Sequence, residues 1–199
     1  MKSACWNCGA AMPGRFCPAC KALQPPSSDY FEFFEIPRHL ALDTDDLEKR
    51  FYALSRKLHP DLFSRKPARE QQYSLDASAV LNDAYRVLKE PVARAMYVLK
   101  QEGLDIGEQG TKEVPPELLE EVFELNMALE DEDAAPQVEE ALYRFQAMRQ
   151  EIDTALQIKF AAWDASHDAP SLGEVRALLN RRKYITNLID KASHVPDRI

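Results

Sequence analysis

Leu47, Phe51, Leu54 and Leu58 recur at i, i+4, i+7 and i+11, so residues 47–58 should fold as a helix with one apolar face. Ala77, Leu81, Ala84 and Leu88 repeat that spacing, with Val80 and Val87 widening the stripe, and two such faces can bury each other as an antiparallel hairpin. The opposite side of the first helix carries Lys49 and Arg56, flanked by Arg50 and Lys57, as a basic strip. Pro60 ends this helix and pushes His59 out of the α region, so a bent polar tripeptide, His59-Pro60-Asp61, is displayed beside positive charge. Upstream, Tyr30 to Ile36 reads as a short apolar helix ended by Pro37, and Asp43 or Thr44 suits the N-cap of the basic helix.

Alone, the tripeptide is what many proline-terminated helices would produce. Here it follows a basic helix and precedes Leu81-Asn82-Asp83-Ala84-Tyr85 in the next one, and with the apolar Tyr-Phe opening, residues 29–90 resemble a J-domain. The resemblance implies that His59, Pro60 and Asp61, with Lys49, Arg50, Arg56 and Lys57, dock on a DnaK-type chaperone and stimulate its ATP hydrolysis. Pro91 to Leu99 continues as a further short helix closed by Gly103, which places the J-domain at residues 29–103.

All four cysteines lie in the first twenty residues, as Cys5-x-x-Cys8 and Cys17-x-x-Cys20. Two such pairs joined by a short loop bring four sulfurs around one tetrahedral ion, and a closed four-thiolate site leaves no position for water. Structural zinc is the expected occupant, with iron in a rubredoxin-like site or two disulfides as the alternatives. Gly9 and Gly14 supply backbone freedom, and Trp6 and Phe16 are placed to shield the sulfurs. Residues 1–24 then form a knuckle, and Pro25-Pro26-Ser27-Ser28 a short stiff linker, residues 25–28, that separates it from the helices.

Beyond a polar connector at residues 104–116, three longer helices are expected in residues 117–199, from Glu117 to Asp131, from about Pro136 to Ser166 and from Ser171 to about Ser193, forming a three-helix bundle. Val138, Leu142, Phe145, Ile152, Leu156, Phe160 and Trp163 line the middle one. The first carries two stripes. Leu118, Val122, Leu125 and Leu129 form a core face, while Leu119, Phe123 and Met127 form a second, bordered by Glu120, Glu124, Glu130 and Asp131. An apolar strip rimmed by carboxylates suits a partner, although burial under the connector or against the J-domain would explain it equally. Residues 108–140 hold twelve acids against one lysine, a net of −11 within a chain of −8, so a basic partner would be steered there. The same charge argues against a nucleic-acid-binding zinc ribbon.

J-domain, connector and acidic bundle together resemble the HscB family of iron-sulfur co-chaperones, and with the knuckle its zinc-bearing members. The residues that carry this are Arg94 to Leu99 with Gly103, and the run from Pro116 to Asn126. The resemblance implies an all-α protein that binds an IscU-type cluster scaffold and delivers it to a DnaK/HscA-type ATPase. Leu119, Phe123 and Glu124 match scaffold-contact positions, and Tyr184 on the last helix matches a family aromatic. Glu120 and Met127 depart from the usual residue types, although Met127 continues the stripe. A J-protein for another client is the alternative. No P-loop or dinucleotide fingerprint occurs and His39, His167 and His194 lie far apart, so no enzyme chemistry is expected. No apolar run reaches the ~20 residues that span a bilayer, and no secretory signal is evident; a bacterial cytoplasm is the expected home, or the mitochondrial matrix if a transit peptide has been removed.

Overall fold

The computed structural model describes residues 4–11, 14–104, 118–130 and 135–193. Among these residues the chain is all-α, its only extended pairings being isolated bridges between Ala4 and Ala11 and between Phe16 and Leu23. No helix among them is long and apolar enough to cross a membrane. The expected connector at 104–116, apart from Leu104, and Asp131 and His194 lie outside the described residues.

The chain divides into two compact units, Met1–Arg94 and Ala95–Ile199. In the first, α1 (Tyr30–Phe34) is capped by the Asp29 carboxylate, which accepts from the N–H groups of Phe31 and Glu32. α2 (Thr44–Leu58) is capped by Asp43 in the same way, which decides between the two candidate caps. After a 3-10 turn at Pro60–Phe63 comes α3 (Ala68–Lys89). The expected faces meet: Leu47, Leu54 and Leu58 of α2 and Ala77, Leu81, Ala84 and Leu88 of α3 are buried. Phe51 is half-buried, stacked on Tyr85 of α3 with ring centroids 4.3 Å apart.

The division between units falls inside α4 (Pro91–Gln101), earlier than the expected domain end at residue 103. Arg94 explains where the first unit closes. Its buried guanidinium donates from Nε to the Leu40 carbonyl at 2.8 Å and from a terminal nitrogen to the Leu88 carbonyl, tying the first turn of α4 to the loop before α2 and to the end of α3. Gly103, at φ 71°, ends α4 as expected: its N–H reaches the Lys100 carbonyl and that of Leu104 the Leu99 carbonyl, the pattern of a left-handed helix cap.

The second unit holds α5 (Leu119–Glu130), α6 (Ala135–Ser166) and α7 (Ala169–Ser193). α7 starts two residues before the expected Ser171 because Asp168 caps it, accepting from the Ser171 N–H at 2.7 Å, and that bond holds the Asp168 carboxyl below its usual range. Leu118 just before α5, Leu125 of α5, Phe145, Ile152, Leu156, Phe160 and Trp163 of α6, and Leu172, Val175, Leu179, Ile185 and Leu188 of α7 form the core. Val138 and Leu142, expected to line α6, are only half-buried.

Candidate functional site

The two cysteine pairs sit on two copies of one turn. In each, the N–H of the residue four after the first cysteine bonds back to that cysteine's carbonyl, Gly9 to Cys5 and Lys21 to Cys17, both at 2.9 Å. Both of those residues take positive φ, 75° at Gly9 and 61° at Lys21. The second left-handed position is therefore a lysine, and Gly14, expected to serve the turn, is not among the positive-φ residues. The sequence does carry a signal for this, because Lys21 follows Cys17 and Cys20 at the offsets at which Gly9 follows Cys5 and Cys8.

These turns bring the four sulfurs together. Cys5 and Cys20 are 3.7 Å apart, Cys8 and Cys17 3.6 Å, and all four lie within 4.8 Å of one another. A disulfide needs about 2.05 Å. Four thiolates at about 2.3 Å from one tetrahedral ion would be about 3.8 Å from each other, so the spacing fits a metal ion. Gln24 Nε2 and the Asn7 N–H point at the Cys5 sulfur at 3.3 and 3.4 Å. Burial opposes ionisation of Cys5, yet N–H groups of Cys8 and Asn7 outweigh it and bring its pKa down to about 6. At Cys8 the Ala10 N–H favours the thiolate, but proton sharing with Cys20 and Cys17 pushes the thiol up to about 12. A cation that replaced those protons would relieve the competition among the four sulfurs.

The linker at 25–28 does not hold the knuckle apart. Leu23 donates its N–H to Glu70 Oε2 of α3 at 3.1 Å, and Trp6 packs edge-on against Tyr73 with the Arg69 guanidinium 5.0 Å from its ring. Trp6 Nε1 donates to the Leu23 carbonyl at 2.7 Å. On the other flank Arg15 donates to the Phe33 carbonyl of α1, lies over the Phe33 ring and pairs with Glu35 at 3.5 Å. The knuckle thus belongs to the same compact unit as α1 to α3. Sequence reasoning missed Glu70, Arg69 and Arg15, since each is an ordinary charged residue on a helix or loop until the fold brings the knuckle to it.

At the end of α2, His59 takes ψ 129°, the extended turn expected before a proline. Its Nδ1 accepts from the Asp61 N–H at 3.3 Å, and the Leu62 N–H closes the turn on the His59 carbonyl at 3.0 Å. Phe63 is buried beneath the loop, Ser74 Oγ of α3 donates to the Leu58 carbonyl at 2.6 Å, and Gln71 Nε2 donates to the Lys66 carbonyl at 2.8 Å. Backbone and α3 therefore fix the loop, while the side chains of His59 and Asp61 remain 56% and 90% exposed. Lys49, Arg56 and Lys57 are exposed on the same helix, but Arg50 is held by Asp46 one turn back at 2.6 Å.

In the second unit, the second stripe of α5 is open: Leu119, Phe123 and Met127 are 53%, 65% and 56% exposed. Glu124 is not free, because Arg144 of α6 pairs with it at 3.1 Å. Tyr184 departs from expectation. It is 8% exposed, and burial raises the pKa of its hydroxyl. In a bundle with short connections α5 and α7 run parallel. Lys191 Nζ donates to Asn126 Oδ1 at 2.6 Å, and one heptad earlier on each helix stand Tyr184 and Leu119. Tyr184 thus lies in the seam beside the stripe rather than on display with it.

Known families account for most of this arrangement. The DnaJ domain model matches residues 29–97, and the HSCB C-terminal oligomerisation domain model matches residues 114–193; the four cysteines precede both. The chain is 32% identical over 194 residues to the iron-sulfur cluster co-chaperone protein HscB of Homo sapiens, covering 94% of this chain and 80% of that protein. To the co-chaperone protein HscB homolog of Vibrio atlanticus (strain LGP32) it is 33% identical over 172 residues, 86% of this chain and 98% of that one. The crystal structure of human co-chaperone protein HscB aligns with a TM-score of 0.76 at 30% identity, over 99% of this chain and 100% of that one. The chaperone HscB from Vibrio cholerae aligns with a TM-score of 0.59 at 26% identity, over 85% and 98%. With a J-domain in its first unit, an HscB-type bundle in its second and relatives matched along nearly its full length, this chain belongs to the HscB family of iron-sulfur cluster co-chaperones.

Proposed function

We propose that the chain binds an IscU-type iron-sulfur scaffold on α5 and brings it to a DnaK/HscA-type chaperone, whose ATPase the J-domain stimulates. The observation that supports this most is the pair of exposed surfaces, one on each compact unit: the His59-Pro60-Asp61 loop with its basic strip, and the Leu119, Phe123, Met127 stripe. One polypeptide holding both partners makes the second encounter intramolecular and raises the local concentration of scaffold at the chaperone. Asp61 offers an exposed carboxylate, His59 an imidazole braced by the backbone, and Lys49, Arg56 and Lys57 a positive field that orients an acidic face of the ATPase. On α5 the apolar side chains supply the contact area, and the surrounding acids steer a basic client.

The cysteine quartet is read as a structural zinc site. Cys5, Cys8, Cys17 and Cys20 would all be ligands, and the ion would hold the two turns together without taking part in catalysis. Iron in the same four-sulfur cage would absorb visible light and zinc would not.

The test is ATP hydrolysis by a DnaK/HscA-type chaperone with and without an IscU-type scaffold. A Leu119→Ala/Phe123→Ala/Met127→Ala variant should stimulate basal hydrolysis as the parent does but lose the further stimulation that scaffold adds. Full scaffold-dependent stimulation by the folded triple variant would refute the client assignment.

A further inference from the structure

Resting on the reading of the His59-Pro60-Asp61 loop as the chaperone dock, we infer that the cysteine knuckle positions that loop through the first turn of α3, with Glu70 as the positioning residue. α3 begins without a side-chain cap: Pro67 occupies the N-cap and makes no such hydrogen bond. An uncapped first turn is the part of a helix that frays most easily, so what packs on it decides its order. Glu70 supplies that packing. It is 7% exposed, a rare degree of burial for a carboxylate, and its Oε2 accepts the Leu23 N–H of the knuckle at 3.1 Å. Its place in the first turn also sets it at the positive end of the helix dipole. Leu23 is in turn fixed by bonds to the cysteines on either side of it in the chain: the Ala22 carbonyl accepts from the Cys17 N–H at 3.0 Å, and Gln24 Nε2 reaches the Cys5 sulfur at 3.3 Å.

The same turn of α3 carries the loop. Gln71 donates from Nε2 to the Ser64 carbonyl at 3.3 Å and to the Lys66 carbonyl at 2.8 Å, and Ser64 Oγ donates to the Asp61 carbonyl at 2.9 Å. One turn on from Glu70, on the same buried face, Ser74 Oγ holds the Leu58 carbonyl at 2.6 Å, directly before His59. Glu70 and Gln71 leave the helix in different directions, one to the knuckle and one to the loop, and what they share is the backbone of its first turn. If that turn frays, both contacts go. Hydrogen bonds thus run from the knuckle backbone through the start of α3 to the backbone of Asp61. A loop ordered before it docks loses less conformational freedom on binding, so the knuckle should act on affinity for the chaperone and not on the maximal rate of ATP hydrolysis.

The test uses the full chain, a DnaK/HscA-type chaperone and amide hydrogen exchange. Glu70→Ala should speed exchange across residues 62–71 about tenfold, while exchange from Leu81 to Leu88, in the packing of α3 on α2, stays as in the parent. The concentration of this variant that gives half-maximal ATPase stimulation should rise about fivefold, with the maximal rate unchanged. Glu70→Gln keeps an oxygen for the Leu23 N–H and should behave as the parent. Gln71→Ala, at an exposed position, should reproduce the loss with Trp6 fluorescence unchanged, because the knuckle stays docked. Parent-like loop exchange or half-maximal concentration in Glu70→Ala, with His59→Gln inactive, would overturn the positioning role and leave the docking reading standing. Faster exchange throughout the first unit would make Glu70 a residue of general stability and overturn it equally. Full stimulation by His59→Gln would remove the docking reading, and this inference with it.

Discussion

Truncating Phe123 to alanine tests the client surface most directly, because the structure separates what the ring does for the bundle from what it can do for a partner. A phenylalanine side chain presents about 200 Å². With 65% of the residue exposed, about 130 Å² remains to be covered by a partner, equivalent to about 3 kcal/mol at about 25 cal/mol per Å². Alanine retains part of that area, and ordering at the interface offsets more, so the expected loss is about 2 kcal/mol, or about thirtyfold in Kd. Stability should move far less. The ring leaves the core packing of Leu118 and Leu125 untouched, so unfolding free energy should stay within about 0.5 kcal/mol. Calorimetric titration with an IscU-type scaffold and thermal unfolding of the same preparation read the two quantities separately. An unchanged Kd in a folded variant would refute the stripe as the client site, and a large fall in Tm would show that the ring is part of the core.

Four further outcomes are expected. His59→Gln should abolish stimulation of the partner ATPase with little change in Tm, since the loop is held by Phe63, Ser74 and Gln71 rather than by the imidazole, and Lys49→Glu/Arg56→Glu should weaken docking and its salt dependence; ATPase assays over a salt series check both. Protein prepared in native form should contain one zinc per chain by elemental analysis, and chelation should shift Trp6 fluorescence as the knuckle leaves Tyr73 and Arg69 while far-ultraviolet helix content is largely kept; metal-free protein with stable disulfides would contradict this. Tyr184→Ala should cost about 3 kcal/mol of stability, seen as a lower unfolding midpoint in denaturant, because the residue sits in the α5–α7 seam; an unchanged midpoint would return it to the surface.

Local chemistry was legible before any fold was known. Stripes such as Leu47–Leu54–Leu58 and Ala77–Leu81–Ala84–Leu88 depend only on the 3.6-residue period, and the Asp43 cap, the Gly103 stop and the turn at His59-Pro60 depend on residues adjacent in the chain. The cysteine spacing likewise implied a four-sulfur cage, because each pair occupies one tight turn. Tertiary structure decided the rest. Pro25-Pro26-Ser27-Ser28 reads as a spacer, but Trp6 and Leu23 meet Arg69, Glu70 and Tyr73 some forty-seven or more positions away, and no local pattern encodes that meeting. Tyr184 looks as displayable as Phe123 in sequence, yet one is covered and the other open. Periodicity names the faces of a helix, but which face is buried depends on the neighbours that arrive: α7 carries Tyr184 into the seam with α5, while no described helix covers the outer face that holds Phe123.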